Sequence, residues 1–257
     1  MLLLQLARPA GDDYIGGLCG PLGMLRDVPT GRHAFNPLDR VELGRSVGQA
    51  LLLSPCEELP PDRFEGAGIY AIYYQGDFKP YRPVALAGCE WPIYVGKAMP
   101  PGARKGLVGL DASPGRKLYE RLRQHHNSAK AATNLDERDF RCRYLVVDDI
   151  WIPLAERLLI GHYRPLWNGV VDGFGIHAPG GTPGGTTGRA GQQKSAWDTL
   201  HPGRSFAKGR SARVSAAKIR NLIDEHLDAY PPQPGEPPVL AEPPLLDAPE
   251  DLDDVEQ

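Results

Sequence analysis

Two hydrophobic periods alternate along this chain. In "NPLDRVELGRSVGQALLLSP" the residues Val41, Val47, Leu51 and Leu52 recur at helical spacing, with Asp39 placed to cap the first turn. "GAGIYAIYY" (66–74) is instead short, β-branched and aromatic behind two glycines, which is a strand pattern. "WPIYVGKA" (91–98) repeats that pattern and ends in Gly-Lys. A proline- and glycine-bearing connection from Met99 to Gly115 leads to "RKLYERLRQHHNSA", a helix with Leu118 and Leu122 on one face and a dense row of bases on the other. "FRCRYLVVDD" alternates and then runs apolar, as a third strand would, and "PLAERLLIGHYRPLWN" (153–168) follows as an apolar helix with a Pro-Leu-Trp-Asn step. The order β-β-α-β-α predicts a mixed α/β fold, a small sheet with helices against it.

One residue disturbs the last helix. On a 3.6-residue period Glu156 has Ile152, Leu159, Ile160 and Tyr163 as face neighbours, while the solvent face runs through Arg157, Gly161 and Arg164. A carboxylate on a packing flank is costly unless a cation attends it.

Outside these elements the composition shifts. Residues 1–32 are rich in Gly and Pro without a sustained period and read as a loose arm. The body is expected over 33–230, with a basic, glycine-rich, aliphatic-poor segment over about 169–213 that cannot build a core alone, and a closing helix in "SAAKIRNLIDEHLDAY". Residues 231–257 hold eight prolines and read as a disordered acidic tail. Charge follows the same division. The first 220 residues carry 29 basic against 21 acidic side chains, a formal +8 hidden inside an overall −3. A basic body points to a polyanionic partner.

No stretch approaches the roughly 18–20 apolar residues of a membrane span, and "MLLLQLARPAGDD" lacks a basic leader and a clear cleavage site. Cys19, Cys56, Cys89 and Cys142 lie more than 30 residues apart, against the close pairs of zinc and redox motifs, so reduced thiols in a cytoplasmic protein are expected. "GGTPGGTTG" lacks the Lys of a phosphate-binding loop and does not join a strand to a helix.

The strand and helix motifs together resemble the GIY-YIG nuclease superfamily. The first motif stands as Gly68-Ile69-Tyr70 and the second as Tyr94-Val95-Gly96, with Val in the middle position. The two tyrosines lie 24 residues apart on successive strands; Arg121 and His125 follow one helical turn apart, then Glu156, then Asn168 after Pro165. Lys97 behind the second motif, the twelve-residue step from Glu156 to Asn168, and the words "FNPL", "LPP" and "WDTLHPGR" are similar to the type II restriction endonuclease branch that cuts a GC-rich palindrome. The similarity spans about residues 33–207 and implies a small three-stranded antiparallel sheet flanked by helices, with N-terminal helical and C-terminal extensions.

It also implies an Mg2+-dependent deoxyribonuclease, Mn2+ serving as substitute, with one divalent ion per site on Glu156. A single carboxylate suits a hard cation whose remaining positions are filled by water and phosphate oxygens. Arg121 would grip the scissile phosphate through its planar fork. Tyr70 would orient or deprotonate the attacking water, and since a free phenol is only about 0.1% ionised at pH 7, it needs an acceptor such as His125 or a nearby cation. Lys97 and Tyr94 would ease that ionisation and position the water. Asn168 would cap the helix end or tie it to the site. Arg123, Arg189, Lys194 and Arg204 would neutralise phosphates or reach guanine edges, with His177, Trp197, Asp198 and His201 bracing them.

The implied partner is double-stranded DNA. A palindrome is matched by a two-fold homodimer cutting one strand per subunit, and a cytosine methyltransferase would be the genetic companion. A nuclease of DNA repair or a mobile element, and a DNA-binding relative without catalysis, remain the alternatives.

Overall fold

The computed structural model describes residues 40–100, 115–176 and 193–234, all within one unit that begins at Pro37. The expected arm, the tail beyond residue 234, Asp39, Cys19, His177 and Arg189 lie outside the described residues.

The predicted strands and helices form in the predicted order. β2 (Gly68–Tyr74) pairs antiparallel with β3 (Tyr94–Ala98) on one side and β4 (Phe140–Val146) on the other. A fourth strand is added to the expected three. β1 (Glu57–Glu58) pairs with β4, giving the order β1-β4-β2-β3, and at two residues it is too short to carry a period of its own.

All seven residues of β2 are buried, which explains why the stretch reads as an apolar run rather than an alternation. Its two faces serve two layers. Tyr70, Ile72 and Tyr74 pack with Leu118 and Leu122 of α3 (Lys117–Ala131) and with Trp167, Phe174 and Trp197. Ile69, Ala71 and Tyr73 pack with Leu51 of α1 (Arg40–Leu53) and with Ile152, Ala155 and Leu159 of α4 (Ile152–Tyr163). Helices α1 and α4 touch closely because Gly44 leaves room: a Cβ there would meet Leu158 and lie 2.8 Å from Leu154 Cγ. A short helix, α2 (Arg82–Leu86), lies between β2 and β3.

Helix α4 ends at Arg164, which adopts a left-handed conformation at φ 43°, a region costly for a residue with a Cβ. Helix α6 (Ala216–Ala229) secures it: His226 Nε2 donates to the Arg164 carbonyl at 2.8 Å, and the guanidinium lies 4.0 Å from the Tyr230 ring centre. The chain then turns through Pro165 towards Asn168.

Two expectations are corrected. Cys56 and Cys89 are joined by a disulfide, so those two thiols are not free; Cys142 is free and buried. Cysteine spacing missed the bond because the folded chain brings together positions 33 residues apart. The glycine-rich segment also contributes more to packing than its composition indicated. Within it, α5 (Ala196–Leu200) buries Trp197 fully, and Phe174 is likewise buried.

His201, which follows α5, forms a buried polar link. Asn134 donates through Nδ2 to the Leu200 carbonyl at 3.0 Å, which turns its Oδ1 towards His201 Nδ1 at 3.0 Å. The proton therefore belongs on Nδ1, and Nε2 accepts from Tyr81 Oη at 2.6 Å. Burial, helped by the charges of Arg204 and Arg220, pushes His201 down to about 3. Unfolded, the same imidazole titrates near 6.5. The folded form is thus fully favoured above about 6.5, and stability falls by about 1.4 kcal/mol per pH unit below it, until about 3. Urea unfolding between pH 7 and 5 should show this loss, and His201→Asn should flatten the slope. An unchanged slope would refute the assignment.

Candidate active site

Tyr70 sits at the centre of β2 on the α3 side, fully buried, with its hydroxyl 2.7 Å from His125 Nε2. Its cross-strand partner is Gly96, where a Cβ would collide with the phenol oxygen and lie 2.5 Å from ring carbon Cζ. The glycine of the second motif is therefore a space requirement of the tyrosine of the first. Tyr94, two residues before Gly96 on the same face, brings its ring centre to 6.2 Å from that of Tyr70 and 5.1 Å from that of His125.

Helix α3 supplies His125 and Arg121 from one stripe. His125 stacks on Phe174 at 4.5 Å. Arg121 donates from Nη2 to the Gly175 carbonyl at 2.9 Å and from Nη1 to Gln124 Oε1 at 3.4 Å. A Cβ on Gly175 would come 2.6 Å from the Tyr94 hydroxyl, so backbone closes over both side chains here. Phe174 and Gly175 are functional neighbours that sequence reasoning did not single out; an aromatic between two glycines, "GFG", is the only signal they leave.

Lys97 and Glu156 approach from the other face. Lys97 is three residues beyond Tyr94 and points to the α4 side, where its Nζ lies 2.6 Å from Glu156 Oε2. The Glu156 side chain is 16% exposed and that of Lys97 34%. The carboxylate pairs with neither Arg157 nor Arg164 but across the edge strand. Because β3 is that edge, groups from both faces can meet around it. Asn168 locks the arrangement, accepting from the Val95 N–H and donating to the Val95 carbonyl, both at 2.8 Å. Both ends of its amide are engaged, which makes it a positioning residue for β3.

The electrostatics tie the two faces together. Burial, then the neighbouring Tyr94 phenol, holds the Tyr70 hydroxyl well above the ordinary phenol range, while Arg121 pulls it down and the Glu156 charge adds to the rise. Tyr94 is raised for the same leading reason, burial, again opposed by Arg121 and assisted by Glu156. The resting site therefore holds two neutral phenols between a guanidinium and a carboxylate.

The residues expected to bind DNA separate. Arg123 is exposed, on a different stripe of α3 from His125. Lys194 joins Ser211 through its backbone N–H at 2.7 Å. Arg204 departs from expectation: it is 3% exposed, pairs with Asp198 at 2.7 Å, and donates to the carbonyls of Gly173, Phe174 and Ile176 while lying over Trp197 and Phe206. Its guanidinium, buried among these partners, braces the strap that carries Phe174 and Gly175. Arg204→Ala should cost about 3–5 kcal/mol of stability by leaving Asp198 buried and unpaired. Urea unfolding checks this, and a variant as stable as wild type would exclude the brace.

An antiparallel sheet between helices, paired tyrosines, the α3 stripe and the α4 carboxylate make up the arrangement of a GIY-YIG nuclease. The chain belongs to the Eco29kI GIY-YIG domain family, a type II restriction endonuclease family whose sequence model matches residues 62–227, over half of its length. No curated protein sequence matches it. The match begins after α1 and runs through most of α6, further towards the C-terminus than the 33–207 expected from motifs. Membership makes the chain a restriction-type nuclease with DNA as substrate, of a kind that generally uses divalent metals. Among the described residues no helix is long and apolar enough to cross a membrane.

Proposed function

We propose that this protein is a type II restriction endonuclease that hydrolyses double-stranded DNA at a short GC-rich palindrome, with one Mg2+ (or Mn2+) per active site. The observation that carries the chemistry is the 2.7 Å contact between the Tyr70 hydroxyl and His125 Nε2, beside a carboxylate held by Lys97.

The donor set fits a hard cation of modest protein coordination. Among the described residues no three His, Cys, Asp or Glu side chains gather to hold a metal, so Glu156 would be the sole protein carboxylate, with Lys97 on one of its oxygens. Bound there, the ion would supply positive charge to the phosphate oxygens as negative charge grows in the transition state. Arg121, with only part of its five-donor fork engaged, is free to add donors to the same phosphate. Tyr94 and Lys97 flank the water. As the water attacks phosphorus, its proton passes to Tyr70 Oη while the proton of Tyr70 passes to His125 Nε2; the P–O bond to the leaving sugar breaks, and the departing oxygen takes a proton from solvent. This relay suits a phenol that burial keeps neutral, because the phenolate need not accumulate.

A palindromic target favours a homodimer in which each subunit cuts one strand, and host protection calls for a cytosine methyltransferase. Digesting a defined genome with Mg2+ and sequencing the ends tests this reading. One short, symmetric sequence at every end is expected. Scattered or structure-dependent nicks would favour a repair or mobile-element nuclease, and binding without any cleavage would favour a silent relative.

A further inference from the structure

The outer stripe of α3 carries a feature that the catalytic constellation does not use. Arg116, Tyr119, Glu120 and Arg123 recur at helical spacing and, with Arg63 from the segment before β2, line a recess of about 260 Å3. Three arginines thus line one small space. The recess has a single acid, Glu120, and its carboxylate already receives Lys117 Nζ at 2.9 Å. Among the described residues none of the three arginines forms an ion pair.

The recess is built rather than incidental. Phe64, next to Arg63, stacks on Tyr144 of β4 with ring centres 4.4 Å apart and meets Tyr119 edge-on at 6.1 Å. Phe64 thereby anchors the segment that carries Arg63 beside the helix that follows Arg116 and carries Arg123. Gathering like charges without counter-charge opposes folding and is offset when an anion sits among them.

We propose that Arg63, Arg116 and Arg123 form a second phosphate-binding site, one that holds the DNA backbone away from the scissile phosphate. From Arg116 to Arg123 is about 10 Å along the helix, the axial rise of about three nucleotides of one strand. The same helix grips the scissile phosphate through Arg121 on its inner stripe, so α3 lies between two points of one duplex and sets its direction across the site. The contact is to the backbone, hence independent of base sequence. This inference rests on the reading of DNA as substrate and adds Arg63 and Arg116 to Arg123.

The test is fluorescence anisotropy of a short fluorescein-labelled duplex with wild-type protein in chelator, across a salt series. Arg63→Gln, Arg116→Gln and Arg123→Gln keep side-chain length while removing charge. Each should weaken binding roughly three- to tenfold and make the slope of log K against log salt shallower by about 0.9, with the ratio of cognate to random duplex unchanged. Arg→Lys at each position should restore the slope. Variants that retain the wild-type slope while wild type binds and cuts would overturn this site and leave the nuclease reading intact. A changed cognate-to-random ratio would also overturn it, in favour of base contacts. Wild type that neither binds nor cuts any duplex would instead overturn the proposed function. Circular dichroism of each variant confirms that it is folded.

Discussion

Glu156→Ala lowers DNA cleavage by roughly three orders of magnitude or more while duplex binding in chelator persists; this is the largest effect expected of any single substitution here. Among the described residues Glu156 is the carboxylate paired with Lys97 of the edge strand, and its charge, like that of Arg121, is felt by both phenols. Removing it would delete the proposed anchor for a divalent ion and leave Lys97 without its partner. The fold should tolerate this, because Lys97 is about one-third exposed and such pairs contribute only about 0–1 kcal/mol. Glu156→Gln, which keeps the shape and removes the charge, should be equally inactive. Single-turnover cleavage of a plasmid with Mg2+ supplies the rate, and anisotropy supplies the binding. A Glu156→Ala protein that cuts within tenfold of wild type would remove this carboxylate from the mechanism.

Tyr70→Phe should come next, with a loss of roughly 10²–10⁴ in the single-turnover rate, the range expected when a proton-transfer group is deleted. The ring stays and continues to fill the space that Gly96 leaves, so packing is kept. What disappears is the hydroxyl that contacts His125 Nε2 and, in the proposed mechanism, would take the proton of the attacking water. The buried imidazole also loses a partner, and stability should drop by about 1–3 kcal/mol. Measuring both quantities separates the roles: a stability loss with near-normal cleavage would make the Tyr70–His125 bond a purely structural one. Restoring stability with a distant stabilising substitution should not restore the rate.

Much of the architecture could be read before any coordinates. β2, β3, β4, α3, α4 and α6 each leave a periodic signature, because each buries one face or one run against the core. Tyr70, Tyr94, Arg121, His125 and Glu156 are picked out by the resemblance of their order and spacing to the GIY-YIG superfamily, Glu156 also by its place on a packing flank. The places where reading failed share one cause. β1 has two residues and no period, Cys56 and Cys89 meet only through the folded chain, and the segment after Asn168 hides its core aromatics among glycines.

Arg204 shows the limit most plainly. A basic residue in a glycine-rich stretch looks like a phosphate ligand, yet its partners are Asp198 and three backbone carbonyls about 30 positions back along the chain. Glu156 shows the same limit from the other side. Its helical position exposed an anomaly, but the nearest arginines in sequence are not its partners.

The sequence by itself determined the main periodic elements and their order, since these depend on local spacing, and through its motifs it pointed to the candidate site residues. Only the tertiary structure decided which charges meet. Ion pairs and close approaches such as Lys97 with Glu156, or Gly96 under Tyr70, depend on strand register and helix crossing. Those are set by burial of the whole core and leave no mark in any short stretch of chain.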